Sequence, residues 1–300
     1  MSAMPTSLNY QTPAQNGAAE QLLSFDVSEF HKHFNRRPFL VRHSLAGHPL
    51  FTLPKLVELS RRLPEKSVKY NDGNLAVAEN LEAMPSNGLS VEETIRRIEE
   101  QCSWMVLKNV HHDPEYRELL MQCLDEVKPY SEPMEPGMCD ARAFIFISSA
   151  NSVTPFHIDP EINFLLQIRG SKSMSVFDPA DRNILPERDL EQFSLAEDLG
   201  VVKYKEEFQK HAFVANLSPG VGVHCPVTAP HWVSNGPNVS ISFSITFRSS
   251  STRRRQNVYW INAHLRRLGL SPTPVGLSPW KDTIKHRLFR SLANVKKVVG

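Results

Sequence analysis

The sequence lacks an excess of charge of either sign, a clustered set of cysteines and a long apolar run. Its 300 residues carry 34 Lys and Arg against 32 Asp and Glu, so whole-chain charge gives no reason to expect a nucleic acid partner. The four cysteines, Cys102, Cys123, Cys139 and Cys225, are widely separated and form no CxxC pair, which excludes a disulfide framework and a zinc knuckle. No transmembrane segment is visible, and no fixed-period repeat indicates a solenoid.

The composition favours a globular protein with either one large domain and additions or two domains. Hydrophobic residues make up 41% of the chain, which is enough to bury a sizeable core. Residues 1–21 are polar, so we expect a disordered tail there and no signal peptide. We expect a main domain over 22–250 with a charged helical insert at 181–211, and a helical C-terminal extension over 251–300. The scattered, reduced thiols indicate a cytoplasmic protein.

The stretch from Asn151 to Pro179 organises the rest of the chain. It places His157 and Asp159 two residues apart in an extended segment, so both side chains point to one face of a strand end. An apolar run and a glycine turn follow, and Lys172 opens a further strand, which predicts a hairpin. A mononuclear non-haem iron site needs two imidazoles and one carboxylate on one side of the metal, with open positions opposite. A second histidine from elsewhere in the chain is therefore required.

The segment from Gly220 to Phe247 offers two candidates for that histidine. Its composition is typical of two strands around the turn at 235–238. His231 begins a strand after a proline-punctuated bend, which suits a ligand at the mouth of a barrel. His224 lies inside the preceding strand and is the less favoured ligand.

The order and spacing of these residues resemble the JmjC and cupin-like iron(II)- and 2-oxoglutarate-dependent dioxygenases. The matching positions, between about Ile145 and Phe247, are Thr154, Pro155, His157, Asp159, Asn163, Phe164, Gln167, Ile168, Gly170, Lys172, Pro226 and His231. Within that family the chain resembles the asparaginyl hydroxylases. The resemblance implies a mainly β, double-stranded β-helix fold, that is, a jelly-roll or cupin-like barrel, with flanking N- and C-terminal helices.

The resemblance also implies the metal and the reaction. In the family the His-x-Asp pair and the later histidine bind iron(II), which gives His157, Asp159 and His231 as metal ligands and catalytic residues here. The main domain over 22–250 is then the catalytic domain. The implied reaction consumes 2-oxoglutarate and O₂, releases succinate and CO₂, and hydroxylates a C–H bond of the substrate.

The co-substrate residues follow from the same resemblance. The lysine after the glycine turn holds the far carboxylate of 2-oxoglutarate in the family, and Lys172 occupies that position. Thr154 and Asn163 match positions that help to hold the co-substrate. The family's co-substrate tyrosine cannot be placed, because neither Tyr70 nor Tyr130 lies in a match.

Other kinds of protein fit the same ligand set, namely a non-catalytic cupin metal-binding module and a cupin isomerase. Lys172 favours the oxygenase, because a buried cation opposite the metal needs an anionic co-substrate. We expect a polypeptide or carrier-bound substrate before a small metabolite or lipid, since in the asparaginyl hydroxylases C-terminal helices form a homodimer that braces the peptide-binding side of the barrel. Helices predicted over Val258–Leu268 and Lys281–Val295 indicate a homodimer here.

Overall fold

A computed structural model describes residues 21–79 and 86–299 of the chain, with side chains as far as Asn294. The expected tail at 1–21 therefore lies outside the described residues, apart from Gln21. Two antiparallel sheets form the centre of the molecule, and helices flank them. The predicted double-stranded β-helix with N- and C-terminal helices is confirmed, although the described strands form two facing sheets and not a closed barrel.

The strands follow one another along most of the described chain. Their bounds are β1 Leu23–Ser24, β2 Phe39–His43, β3 Val68–Asp72, β4 Ser103–Leu107, β5 Cys139–Ser148, β6 Val153–His157, β7 Ile162–Arg169, β8 Lys172–Val176, β9 Phe213–Leu217, β10 Val221–Cys225, β11 His231–Asn235 and β12 Ser240–Arg248. The larger sheet has eight strands in the order β1-β2-β10-β7-β12-β5-β4-β3. The smaller sheet has four in the order β6-β11-β8-β9.

The α-helices lie before the core strands, in the insert and at the C-terminal end. Their bounds are α1 Val27–His33, α2 Leu53–Arg62, α3 Val91–Arg96, α4 Pro114–Ser131, α5 Glu187–Ala196, α6 Ser250–Arg267 and α7 Pro279–Val299. Side chains cap several of their N-termini. Asp26 accepts from two backbone amides of α1, and Ser90 and Ser249 form capping boxes at α3 and α6.

The larger sheet has one apolar face and one mixed face, because its central strands alternate. In β12, Ile241, Phe243, Ile245 and Phe247 enter the main hydrophobic core beneath the N-terminal helices. The intervening side chains, Ser240, Ser242, Ser244 and Thr246, point to the opposite face, toward the smaller sheet. Buried residues of β7, β8, β9, β10 and β11 fill the space between the two sheets.

The prediction of a hairpin after the His-x-Asp pair is wrong. Strand β7 pairs with β10 and β12 in the larger sheet, whereas β8 pairs with β9 and β11 in the smaller one. The chain therefore crosses from one sheet to the other at Gly170 and Ser171. The strands on either side of the turn at 235–238 are separated in the same way, since β11 and β12 belong to different sheets.

The insert and the C-terminal helices pack against each other. Arg266 of α6 donates from Nε and Nη2 to both carboxylate oxygens of Glu191 in α5, at 2.6 and 2.9 Å. Glu191 is buried, so this bidentate pair docks the insert on α6. Helix α7 packs on α6 through Phe289 and Trp260, whose ring centroids lie 5.3 Å apart. No helix of the described residues is both long enough and apolar enough to cross a bilayer.

Replacing Gly170 with alanine tests the crossover between the sheets. Gly170 has a φ of +69°, and an added Cβ would collide with the backbone carbonyl of Val239. We expect Gly170→Ala to lower the free energy of unfolding in urea by about 2 kcal/mol or more. Gly47→Ala is the matched control, because Gly47 has a φ of +75° but no atom near the added Cβ, which leaves backbone strain of ~1 kcal/mol. Equal losses in the two variants would contradict the explanation.

Candidate metal centre

His157 and His231 meet because β6 and β11 pair in antiparallel register. The ladder places the two residues opposite each other, with 4.1 Å between their ring centroids. Asp159 follows β6, and its Oδ1 and Oδ2 lie 4.0 Å from His157 Nε2 and 3.6 Å from His231 Nε2. One ligand atom from each side chain lies within 4.8 Å of the others, and the described residues contain no second group of three such side chains.

Backbone carbonyls orient both imidazoles toward the carboxylate. Nδ1 of His157 donates to the Pro155 carbonyl at 2.7 Å, and Nδ1 of His231 donates to the Ala229 carbonyl at 2.9 Å. Each contact spans two residues, so the local backbone fixes the tautomer of the ring and directs Nε2 toward Asp159. Histidines that bind metals are generally held by such a hydrogen bond from the other ring nitrogen.

The charges of the group also suit a divalent cation. Burial, and next the nearby His157, lowers the pKa of His231 to about 4, so this imidazole is neutral at pH 7, which is the form that binds metals. Desolvation raises the pKa of the Asp159 carboxyl, against the opposing effects of His231 and Lys108. A cation would offset that desolvation. Two imidazoles and one carboxylate beside a cavity are the donor set of mononuclear non-haem iron, so these residues fit iron(II).

A cavity of about 330 Å³ opens beside these three side chains. Lys172, Thr154 and Asn163 line it, so the structure brings all six predicted site residues to one cavity. Lys172 is only 6% exposed, and burial lowers its pKa to about 7. No acidic side chain of the described residues forms an ion pair with it, so this part of the chain supplies no counter-charge to an ammonium group at this position.

Thr154 and Asn163 present hydrogen-bond donors to the cavity. The Thr154 hydroxyl oxygen accepts from Nε1 of Trp104 at 2.9 Å, which leaves its own hydrogen to donate. The Ser244 hydroxyl donates to Oδ1 of Asn163 at 2.8 Å, which directs the amide NH₂ away from that contact. With Lys172, these groups form a wall that suits a carboxylate.

The mouth of the cavity carries a network of charged side chains. Glu161 is buried, with its Oε1 3.5 Å from Arg142 and 3.6 Å from Arg248. Burial, and next the charge of Asp159, raises the pKa of Glu161 to about 7. Arg248 also pairs with Glu197 at 2.9 Å, so this network joins the loop after β6, strand β12 and the C-terminal end of α5.

The cupin-like domain family matches residues 27–253, which is most of the chain. The chain belongs to this family. A stretch of 116 residues is 32% identical to the Jumonji C domain-containing protein 5 of Drosophila melanogaster. This match covers 36% of the present chain and only 28% of that relative.

Solved structures of Escherichia coli YcfD resemble the cupin-like domain. The X-ray structure of E. coli ycfD aligns with a TM-score of 0.53 over 92% of this chain and 69% of that chain, at 17% identity. A structure of YcfD, a ribosomal oxygenase from E. coli, in complex with cobalt and succinic acid aligns with a TM-score of 0.49, also at 17% identity, over 91% of this chain and 68% of that chain. The similarity to the X-ray structure of E. coli ycfD shows that the two proteins share a fold.

His224 lies on the wrong face of the cupin-like domain's larger sheet to join the metal centre. Its ring is fully buried against Phe34, Phe39 and Phe164, on the side covered by the N-terminal helices. Its Nε2 accepts from the backbone amide of Asn35 at 2.9 Å, and burial lowers its pKa to about 3. His224 is therefore a neutral core residue.

Sequence reasoning missed several residues that line the cavity. Trp104 fixes Thr154, Ser244 fixes Asn163, and Glu161 with its arginines forms the mouth. The alternation of Ser and Thr with Ile and Phe in β12 was a usable signal for Ser244, because it predicts a strand with a polar inner face. Trp104 carried no such signal, since its strand β4 is buried at every position. The described residues that line the cavity include no tyrosine.

Alanine variants test which histidines could hold the metal. We expect His157→Ala, Asp159→Ala and His231→Ala each to lower the affinity for Co(II), measured by anaerobic calorimetry, by roughly 100-fold or more, because each removes a ligand whose supporting contacts alone are worth 10–100-fold. His224→Ala is the control, and it should destabilise the fold while the folded fraction keeps its metal affinity. Loss of metal binding in His224→Ala, with normal binding in His231→Ala, would reverse the assignment.

Proposed function

We propose that this protein is an iron(II)- and 2-oxoglutarate-dependent oxygenase that hydroxylates a C–H bond of a polypeptide or carrier-bound residue. His157, Asp159 and His231 would hold iron(II), and Lys172 would hold the far carboxylate of 2-oxoglutarate. The observation that carries the proposal is the position of Lys172. Lys172 is a buried lysine with no acidic partner among the described residues, its pKa is lowered to about 7 by burial, and it shares a cavity with the three candidate metal ligands. An anion that enters this cavity would supply the counter-charge and hold the side chain as the ammonium ion.

Iron(II), when bound, would supply the site at which O₂ oxidises 2-oxoglutarate to succinate and CO₂ and one oxygen atom passes to the substrate. The chain's own residues bind and orient. Lys172, Thr154 and Asn163 offer one cation and two neutral donors to a carboxylate. Phe146, Leu165, Met174 and Val233 also line the cavity, and their apolar surfaces limit the water around the reacting groups.

The size of the cavity supports a substrate that inserts a single side chain. About 330 Å³ lies at the lower end of the range for small-molecule pockets, and 2-oxoglutarate would occupy part of it. The remaining space suits one side chain of a longer molecule better than a whole lipid or large metabolite. The polar mouth around Arg142, Glu161 and Glu197 could then contact the backbone on either side.

Replacing Lys172 tests the co-substrate assignment. We expect Lys172→Met to raise the 2-oxoglutarate concentration needed for half-maximal succinate release by roughly 10- to 150-fold, because a charge-assisted contact contributes about 1.5–3 kcal/mol. Metal affinity should stay unchanged, since Lys172 is not one of the ligands. Lys210→Met is the control, as it removes the same charge from outside the cavity. Half-saturation at the wild-type concentration in Lys172→Met would refute the role of Lys172.

We further propose that the protein forms a homodimer through its C-terminal helices. Trp280, Ile284, Leu288 and Leu292 of α7 repeat every four residues and are 64%, 56%, 47% and 45% exposed. Such a stripe of large apolar side chains is unfavourable in water and is typical of a helix that pairs with another protein surface. A second copy of the same helix offers a self-complementary surface.

Charged residues in this stripe test the dimer. We expect the double variant Ile284→Asp, Leu288→Asp to elute as a monomer in size-exclusion chromatography with light scattering at micromolar concentration. The wild type and the control Arg287→Gln should be dimers, because a stable interface buries on the order of 1,200 Å² of largely apolar surface that one lost charge does not remove. A monomeric wild type, or a double variant that remains dimeric, would exclude this interface.

A further inference from the structure

A second cavity adjoins the metal cavity across a ridge formed by Pro160. Its volume is about 260 Å³, and Pro160, the residue after Asp159, lines both cavities. A hydrogen bond also links the linings of the two cavities, in which Nε2 of Gln256 donates to Oε1 of Glu197 at 2.8 Å. Gln256 lines the second cavity and Glu197 the first. The second cavity is therefore a neighbour of the metal cavity, close enough to contact residues that flank a side chain inserted beside the metal.

The second cavity is positively charged. Three arginines line it, Arg36, Arg182 and Arg255, and no acidic side chain of the described residues does. Arg182 pairs with Glu187 at 2.7 Å, and Arg255 lies 3.5 Å from Glu135. Arg36 forms an ion pair with no described residue. The cavity thus holds more positive charge than its surroundings offset.

The cavity is held in a fixed position relative to the metal centre. Asn35, Val227 and Thr228 line it, and Oδ1 of Asn35 accepts from the Val227 amide at 3.0 Å. The next amide, that of Thr228, donates to the carbonyl of Asp159 at 2.9 Å. The loop that precedes His231 is therefore fixed both to the metal-binding loop and to the wall of the second cavity.

We infer that the second cavity is a specificity subsite, which binds an acidic side chain of the substrate close to the residue that enters the metal cavity. The inference rests on the proposed function, since it needs a polypeptide that reaches the metal. Arginine guanidinium groups match a carboxylate in geometry and charge. Tyr259 also lines the cavity, and a phenol is a hydrogen-bond donor at neutral pH.

Peptide binding to the full-length protein tests the subsite. The probe is fluorescein-labelled hexaglutamate, followed by fluorescence anisotropy, with labelled hexaglutamine as the neutral comparison. We expect hexaglutamate to bind at least 10-fold more tightly than hexaglutamine. Arg36→Gln and Arg255→Gln should each weaken hexaglutamate binding about 3- to 10-fold, because each removes one charge-assisted contact.

Two arginine variants serve as matched controls. Arg37→Gln removes the same charge from the neighbouring position, where the side chain pairs with Asp178 at 3.3 Å outside the cavity. Arg254→Gln removes a charge next to Arg255, from a residue that lines the cleft between α6 and α7. Each control should change the affinity less than 2-fold.

Several outcomes would overturn the subsite. These are equal binding of the two peptides, a loss in either control as large as that in Arg36→Gln, or displacement of hexaglutamate by an equal concentration of free glutamate, which would make the cavity a site for small anions. The proposed function is tested separately, by succinate release from 2-oxoglutarate in the wild type without peptide. Failure of that reaction leaves the binding results interpretable by themselves.

Discussion

The pairing of β6 with β11 is the constraint on which the candidate site depends. Because side chains alternate along a strand, a slip of one residue would turn one of the two imidazoles to the opposite face of the sheet. The observed register sets His157 against His231, although 74 positions separate them in the chain. The loop that leaves β6 and the loop that enters β11 are then joined by the hydrogen bond from the Thr228 amide to the Asp159 carbonyl, so the position of the Asp159 carboxylate also depends on this pairing.

A second consequence of strand alternation is that a polar site can lie inside a well-packed protein. The inner face of the larger sheet carries polar groups that satisfy one another: Gln167 donates to Ser240 and accepts from Ser242, and Ser244 donates to Asn163. The outer faces of the same strands are apolar and bury themselves under the N-terminal helices. The cavity wall is therefore fixed by hydrogen bonds on one side and by hydrophobic packing on the other.

Local spacing is enough to predict that His157, Asp159 and His231 come together as candidate metal ligands, whereas the residues that surround them in three dimensions are harder to predict. The His-x-Asp pair lies in one short segment, and His231 could be preferred over His224 from its place at a strand end. The alternation of side chains along the strands also argues against His224 as a ligand. His224 pairs with Phe164, whose side chain lies on the outer face of the larger sheet. The hairpin prediction is wrong because it assumes that β7 and β8, which are adjacent in sequence, pair with each other. A glycine turn between two strands does not show whether they pair or belong to different sheets. The second cavity joins residues from at least five separate segments, so no local pattern predicts it.

The burial of Lys172 lowers the stability of the protein without a ligand and would favour the binding of an anion. The pKa of Lys172 is about 7 in the folded protein, against 10.5 for an ordinary lysine, so between these pH values the unfolded chain binds more protons. Stability therefore rises with pH across that window, and below it the folded protein bears the full cost of the buried charge, on the order of a few kcal/mol. A dicarboxylate in the cavity would supply the missing counter-charge and raise the pKa of Lys172 again. The free energy that the fold loses at this position would thus be available to the proposed co-substrate, which would explain why a residue that weakens the empty protein occupies the wall of the cavity.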